Sequence, residues 1–228
     1  MGLLDYKSAW RLQTHLVSAK ISGKLKHPVF LFMEHPPVFT LGRRGGRENL
    51  KVPEAFLGTK GIDVVHIERG GDITYHGPGQ LIIYPIVDLR KARLGVKEFV
   101  FGLEEVMIRV AADSGVRAER NDINRGVWVG SKKLGSIGIA IRHGVSFHGL
   151  ALNVNTDLEP FSWVNPCGLS GVQMISLEEA TGGKGLSMEQ ALRSARIHIE
   201  AVFQTKIQET SFETLNQMIE SAPELEEV

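Results

Sequence analysis

The chain has 228 residues, 43% hydrophobic and 23% charged, with 26 basic side chains against 26 acidic ones. That apolar share excludes global disorder, and a formal net charge of zero lacks the basic surplus of a nucleic-acid binder. The single cysteine, Cys167, excludes an internally disulfide-bonded secreted scaffold.

The chain opens Met1-Gly2-Leu3-Leu4-Asp5-Tyr6-Lys7. An acid and a lysine arrive at once, so no signal-peptide core is expected. Tyr6 stands where a myristoylation motif wants Ser or Thr. Residues 5–22 place Ala9, Leu12, Leu16 and Ala19 on one face, which predicts a helix. Residues 29–33 form a short apolar run, a buried strand that Pro36-Pro37 ends, and residues 38–41 resume it. Residues 42–46 read as a Gly/Arg loop and 47–60 as irregular. Strands are predicted at 64–67 and 81–87. The apolar run at 81–87 is far short of the ~20 residues that span a bilayer, and a cytoplasmic, non-membrane protein is expected.

Residues 96–113 carry the clearest amphipathic stripe, from Val96 through Leu103 to Val110. Strand signals return at 126–129, 133–141 and 146–155, with Arg142-His143-Gly144 as a turn, and predict an antiparallel meander. A late helix through Leu192, Ile199 and Phe203 follows a Ser187-x-x-Gln190 capping box. Strands in the middle with helices on either side predict an α+β fold, a mixed or antiparallel central sheet flanked by helices. One domain over 1–228 is expected, with a frayed acidic tail from about residue 222.

Three segments carry chemistry. Residues 69–80 pack four glycines and a proline around Arg69, Thr74, Tyr75, His76 and Gln80. Glycines let a backbone approach a ligand closely, yet the block matches neither a P-loop nor a dinucleotide fingerprint. Asn165-Pro166-Cys167-Gly168 sets the lone thiol in a loop. A nucleophilic thiol needs exposure, a lowered pKa and nearby backbone N–H groups. Lys132-Lys133 precedes Leu134-Gly135-Ser136-Ile137-Gly138, and on a strand the two lysines point to opposite sides, so one of them is available to a site. No histidine lies in a metal-binding arrangement and no metal is expected.

Together with Glu34-His35-Pro36-Pro37 and His148-Gly149-Leu150-Ala151-Leu152-Asn153, these segments resemble the lipoyl(octanoyl) transferase family, octanoyl-[acyl-carrier-protein]:protein N-octanoyltransferases, from about residue 30 to 180. The resemblance implies a fold similar to the biotin/lipoate protein ligase catalytic core and a cysteine–lysine dyad. Cys167 matches the acyl-accepting cysteine and Lys133 the catalytic lysine, 34 residues apart. The family's substrate-binding positions fall on Arg69, Gly70, Gly71, Asp72, Ile73, Thr74, Tyr75 and His76, on Ser136, Ile137 and Gly138, and on Gly149, Leu150 and Ala151. The implied reaction moves an octanoyl group from octanoyl-acyl carrier protein to a lysine of a lipoyl domain, in 2-oxoacid dehydrogenase complexes or the glycine cleavage H protein, through a cysteine thioester and without a cofactor. Tyr75 and His76 are expected to shape the acyl tunnel or to orient the acyl head. Arg43, Arg44, Arg47, Lys24 and Lys26 are candidates for docking an acidic carrier protein. Rival readings are an ATP-dependent lipoate or biotin ligase, a cysteine acyl-thioesterase and a non-catalytic acyl-binding module.

Overall fold

A computed structural model of the chain describes residues 2–122, 124–165 and 171–220. Helix α1 spans Tyr6–Ile21, and Asp5 caps it by accepting from the Ser8 N–H at 3.1 Å. Strands β1 (Val29–Met33) and β2 (Val38–Leu41) follow. The stretch expected to be irregular instead holds a short 3₁₀ turn at Arg47–Asn49 and helix α2 at Glu54–Thr59. Both are too brief to leave a helical period in the sequence. After β3 (Asp63–His66), the glycine-rich block contains a strand, β4 (Ile73–His76), and not only a loop. Next come β5 (Gln80–Ile86), α3 (Val96–Asp113), β6 (Glu119–Arg120), β7 (Gly126–Val129), β8 (Lys132–Arg142) and β9 (Val145–Asn153). Helices α4 (Leu177–Ala180), α5 (Met188–Val202) and α6 (Phe212–Glu220) close the described chain. The Ser187/Gln190 box caps α5 in both directions. Helix α6 carries no signal picked out from the sequence, and the acidic end lies outside the described residues.

The larger sheet has the order β1-β5-β9-β8-β7-β6 and is antiparallel throughout. The meander β7-β8-β9 forms half of it. The smaller sheet, β3-β2-β4, is mixed, with β2 parallel to β3 and antiparallel to β4.

Strand alternation assigns the two faces of the large sheet. On β5, Leu81 and Ile83 join Leu150 and Leu152 of β9 beneath α3 and α5, where Phe99, Leu103 and Ile199 are buried. The intervening Ile82, Tyr84 and Ile86 pack with Phe147 and Ala151 under Leu12, Leu16 and Val17 of α1. With both faces covered, β5 reads as one continuous apolar run. Pro85 sits inside this central strand without a ladder N–H. The Ser146 hydroxyl compensates, donating to the Pro85 carbonyl at 2.7 Å and accepting from the Val87 N–H at 3.1 Å. The small sheet has its own core, in which Phe39, Leu41, Ile73 and Tyr75 pack on Phe161, Val164 and Met174. No helix among the described residues is long and apolar enough to cross a membrane.

Candidate active site

Between the two sheets lies a cavity of about 230 Å³. Its floor is a patch of the β8–β9 ladder, in which Ser136 pairs with Ala151, Ile137 with Leu150 and Gly138 with Gly149. The two sequence segments 136–138 and 149–151 are therefore one surface, and all six residues line the cavity. The opposite wall is the 69–72 loop with Thr74 and His76. Alternation along β4 sends Thr74 and His76 into the cavity and Ile73 and Tyr75 into the small-sheet core. The Tyr75 ring packs on Phe39 and Phe161 and lines no part of this cavity. The Ile73 side chain is likewise turned away.

Arg69 holds the loop in place. Its buried guanidinium donates to the Thr40 carbonyl at 2.7 Å, to the Thr40 hydroxyl at 2.9 Å and to the Gly70 carbonyl at 3.1 Å. The loop then bonds across to β8 through the Gly70 N–H and the Ile139 carbonyl, 2.9 Å apart. This approach demands glycine at 138, where a Cβ would stand 2.9 Å from both Arg69 Cδ and the Gly70 carbonyl oxygen. Asp72 accepts twice from Asn49 Nδ2 at 2.9 Å. Asn49 in turn accepts from the Asn165 N–H at 2.8 Å, on the near side of the cysteine segment.

The most buried end of the cavity is aromatic and uncharged apart from Arg69. Tyr6 stacks on His76, and His35 Nε2 lies 2.8 Å from the Tyr84 hydroxyl. Burial, with help from His35 and Arg69, pushes the His76 imidazole down to about 3 against the Gln80 bond that favours its charged form. Burial also lowers His35 and His148 below their ordinary value and raises Tyr84. His148 takes φ +53°, a left-handed conformation uncommon for a non-glycine residue. Its N–H is held by Gln13 Oε1 of α1 at 2.7 Å.

The two adjacent lysines separate as strand geometry requires. Lys132 is partly exposed and its Nζ pairs with Glu179 at 2.8 Å. Lys133 is 1% exposed, with its Nζ 2.5 Å from Asn124 Oδ1 and 5.4 Å from the centre of the Trp128 ring. Its backbone is also engaged, since the Lys133 N–H donates to Gln173 O at 2.8 Å and the Lys133 carbonyl accepts from the Ile175 N–H at 3.0 Å. Cys167 lies outside the described residues. The residues on either side of its segment, Asn165 and Gln173, are thus bonded to Asn49 and to Lys133.

Asn124, Tyr6 and Tyr84 line the cavity without having been singled out from the sequence as site residues. For Asn124 the available signal was a polar stretch, residues 119–125, joining an apolar helix to an apolar strand. Of the basic candidates, Arg44 lines the cavity, with its N–H bonded to Gly71 O at 3.1 Å, whereas Arg47 pairs with Glu54 at 2.9 Å. Among the described residues no cluster of three or more His, Cys, Asp or Glu side chains is arranged to hold a metal.

Comparison with known proteins places this geometry. The family model of the lipoyl protein ligase A/B catalytic domain matches residues 5–199. An octanoyltransferase of Desulfotalea psychrophila is 58% identical over 80% of this chain and 82% of its own length. An octanoyltransferase of Syntrophobacter fumaroxidans is 42% identical over 96% of this chain and 95% of its own. Among solved structures, lipoate-protein ligase A bound with ATP matches at TM-score 0.73 and 16% identity, covering 92% of this chain and 88% of that one. A bipartite lipoate protein ligase from Thermoplasma acidophilum matches at TM-score 0.72 and 18% identity, covering 96% and 89%. These structural likenesses are of fold alone, but the family match and the close relatives go further: the chain belongs to the lipoyl protein ligase A/B catalytic domain family.

Proposed function

We propose that the protein transfers an octanoyl group from octanoyl-acyl carrier protein to a lysine of a lipoyl domain, through a thioester on Cys167. The observation that carries this reading is Lys133, an amine withdrawn from solvent on a central strand, whose own backbone bonds to Gln173 just beyond the cysteine segment. The relatives at 58% and 42% identity are octanoyltransferases, which supports the same assignment.

The chemistry follows from the residue types. A neighbouring ammonium lowers the pKa of a thiol and increases its thiolate fraction. The Cys167 sulfur attacks the thioester carbonyl, the carrier's thiolate leaves and takes a proton, and an octanoyl-Cys167 thioester remains. One thioester replaces another, so this step needs no ATP. The lysine amine of the lipoyl domain then attacks the same carbonyl. Its nitrogen forms an amide, Cys167 departs as thiolate, and Lys133 relays the amine's proton. Formation of the amide draws the sequence forward. Burying the acyl tail along the floor formed by segments 136–138 and 149–151 contributes ~0.8 kcal/mol per CH₂ to binding. Lipoyl domains of 2-oxoacid dehydrogenase complexes and the glycine cleavage H protein are the acceptors in this reading, in the cytoplasm. Arg43 and Arg44, tied by their N–H groups to the rim carbonyls of Arg69 and Gly71, face the acidic carrier.

The test is incubation of the full chain with octanoyl-carrier protein and an apo lipoyl domain, without nucleotide, followed by intact mass of all three proteins. The expected result is an octanoyl adduct on the enzyme, absent from Cys167→Ser, and an octanoylated lipoyl domain. An adduct that survives Cys167→Ser excludes Cys167 as the nucleophile. Dependence on ATP and free lipoate identifies a ligase, and release of free octanoate identifies a thioesterase.

A further inference from the structure

Glu104 has no part in the chemistry above, yet it is a carboxylate only 1% exposed on α3, where Leu103 and Met107 belong to the core. Burying a charge is costly, and for stability alone a well-packed apolar side chain often serves such a position as well or better. Its contacts lead toward the site. Glu104 Oε1 accepts from the Gly126 N–H at 3.0 Å, and Oε2 stands 3.3 Å from Arg120 Nε in an ion pair. Arg120 is itself fixed to α3, because Nη2 donates to the Phe101 carbonyl at 3.1 Å and to Glu105 at 2.8 Å. The chain between α3 and β7 is therefore clamped to the helix at both Arg120 and Gly126.

The Lys133 side chain passes close by Gly126. A Cβ on Gly126 would stand 3.1 Å from Lys133 Cε and 2.2 Å from the Gly135 carbonyl oxygen, and its φ of +120° favours glycine. The lysine stem thus runs past Gly126 and ends on Asn124 Oδ1, two residues upstream. The Asn124 carbonyl accepts from Trp128 Nε1 at 3.3 Å, and the Trp128 ring lies near the amine. Asn124 lines the cavity and Glu104 does not, so Glu104 reaches the site through residues 124–126.

Building on the reading that Lys133 is the amine of the reaction, we infer that Glu104 is a positioning residue for it: by gripping the Gly126 N–H, it sets residues 124–126 where Asn124 accepts from Lys133 Nζ. Without that oxygen the buried Gly126 N–H is left unpaired, and the backbone there shifts to find another partner. Asn124 moves with it, and the amine loses its fixed direction.

The test reads where the ammonium stands through the reactivity of the single thiol. Alkylation of Cys167 by iodoacetamide is followed against pH in the full chain, beside kcat and KM for octanoyl-carrier protein with an apo lipoyl domain. Lys133→Ala sets the reference, with the thiol pKa expected to rise by about one pH unit or more. Glu104→Met, apolar and of similar length, is expected to raise it by about half a pH unit or more and to lower kcat about tenfold or more, with KM within about twofold. Glu104→Gln keeps an oxygen for the Gly126 N–H and is expected to stay near the unaltered chain. Asn124→Ala is expected to give the same shift as Glu104→Met, and the double variant no more than either alone, since both act on one contact. Glu104→Asp is one bond too short to reach Gly126 in the same pose. It is expected to move the thiol the same way and is the second variant should Glu104→Met fail to fold. A thiol pKa unmoved or lowered in these variants, a Glu104→Gln chain as impaired as Glu104→Met, or additive effects in the double variant overturn the inference alone. If Lys133→Ala leaves thiol pKa and transfer unchanged, the proposed role of Lys133 falls and this inference with it.

Discussion

Lys133 Nζ and Asn124 Oδ1 meet at 2.5 Å, joining the middle of the sheet to the loop before β7. The preceding lysine, Lys132, turns outward to Glu179 instead. Lys133→Ala is therefore expected to lower octanoyl transfer by about 100-fold or more, the scale of a lost proton-transfer group. Lys132→Ala breaks an exposed pair and is expected to change stability by less than ~1 kcal/mol and to keep transfer. Steady-state kinetics with both variants checks this, and equal losses would contradict the assignment of the two faces.

Gly149 of β9 lies close against β5. A Cβ there would stand 2.0 Å from the Ile83 carbonyl oxygen and 2.7 Å from Pro85 Cδ, both on a central strand with no room to shift. Gly149→Ala is expected to destabilise the fold by ~3 kcal/mol, the upper range for overpacking, and to lower Tm by roughly 6–12 °C. At Gly58 in α2 a Cβ would meet no described atom within 4 Å. Gly58→Ala is expected to be neutral or to stabilise by up to ~1 kcal/mol. Urea unfolding of the two variants tests the contrast.

Three histidines give the fold an acid sensitivity. His35, His76 and His148 are all held below the ordinary 6.5, chiefly by burial, and His76 as far as about 3. The unfolded chain takes up their protons first, so stability is complete above pH 6.5 and is lost as the pH falls from there toward the folded-state values. Each fully buried histidine contributes a slope of up to ~1.4 kcal/mol per pH unit in that window. The urea midpoint is expected to drop clearly between pH 7 and pH 5, with His76→Gln flattening the fall. A midpoint constant across that range would contradict the burial argument.

Much of this architecture was legible because its signals are periodic. The stripe from Val96 to Val110 and the capping pair Ser187/Gln190 gave α3 and α5 almost to the residue. The opposed segments 136–138 and 149–151 were each recognisable, although the sequence could not show that the ladder pairs them. What escaped was either short or hidden by composition. Strand β4 hid among glycines, and with it the alternation that divides Thr74 and His76 from Ile73 and Tyr75. Asn124, Gln13 and Glu68 escaped because an isolated polar residue reveals its role only when folding supplies the neighbour, 9, 135 and 80 positions away in the contacts to Lys133 and His148.

The bond from Gln13 to the His148 amide spans 135 positions. At a synthesis rate of roughly 5–20 residues per second, α1 leaves the ribosome roughly 7–27 s before its partner strand exists. Until β9 emerges, Leu12, Leu16 and Val17 have only the β1–β5 pair to cover them. The helix is thus only partly covered at first, and the pocket's innermost wall is assembled only after β9 emerges, which makes binding competence a late event in the life of each molecule.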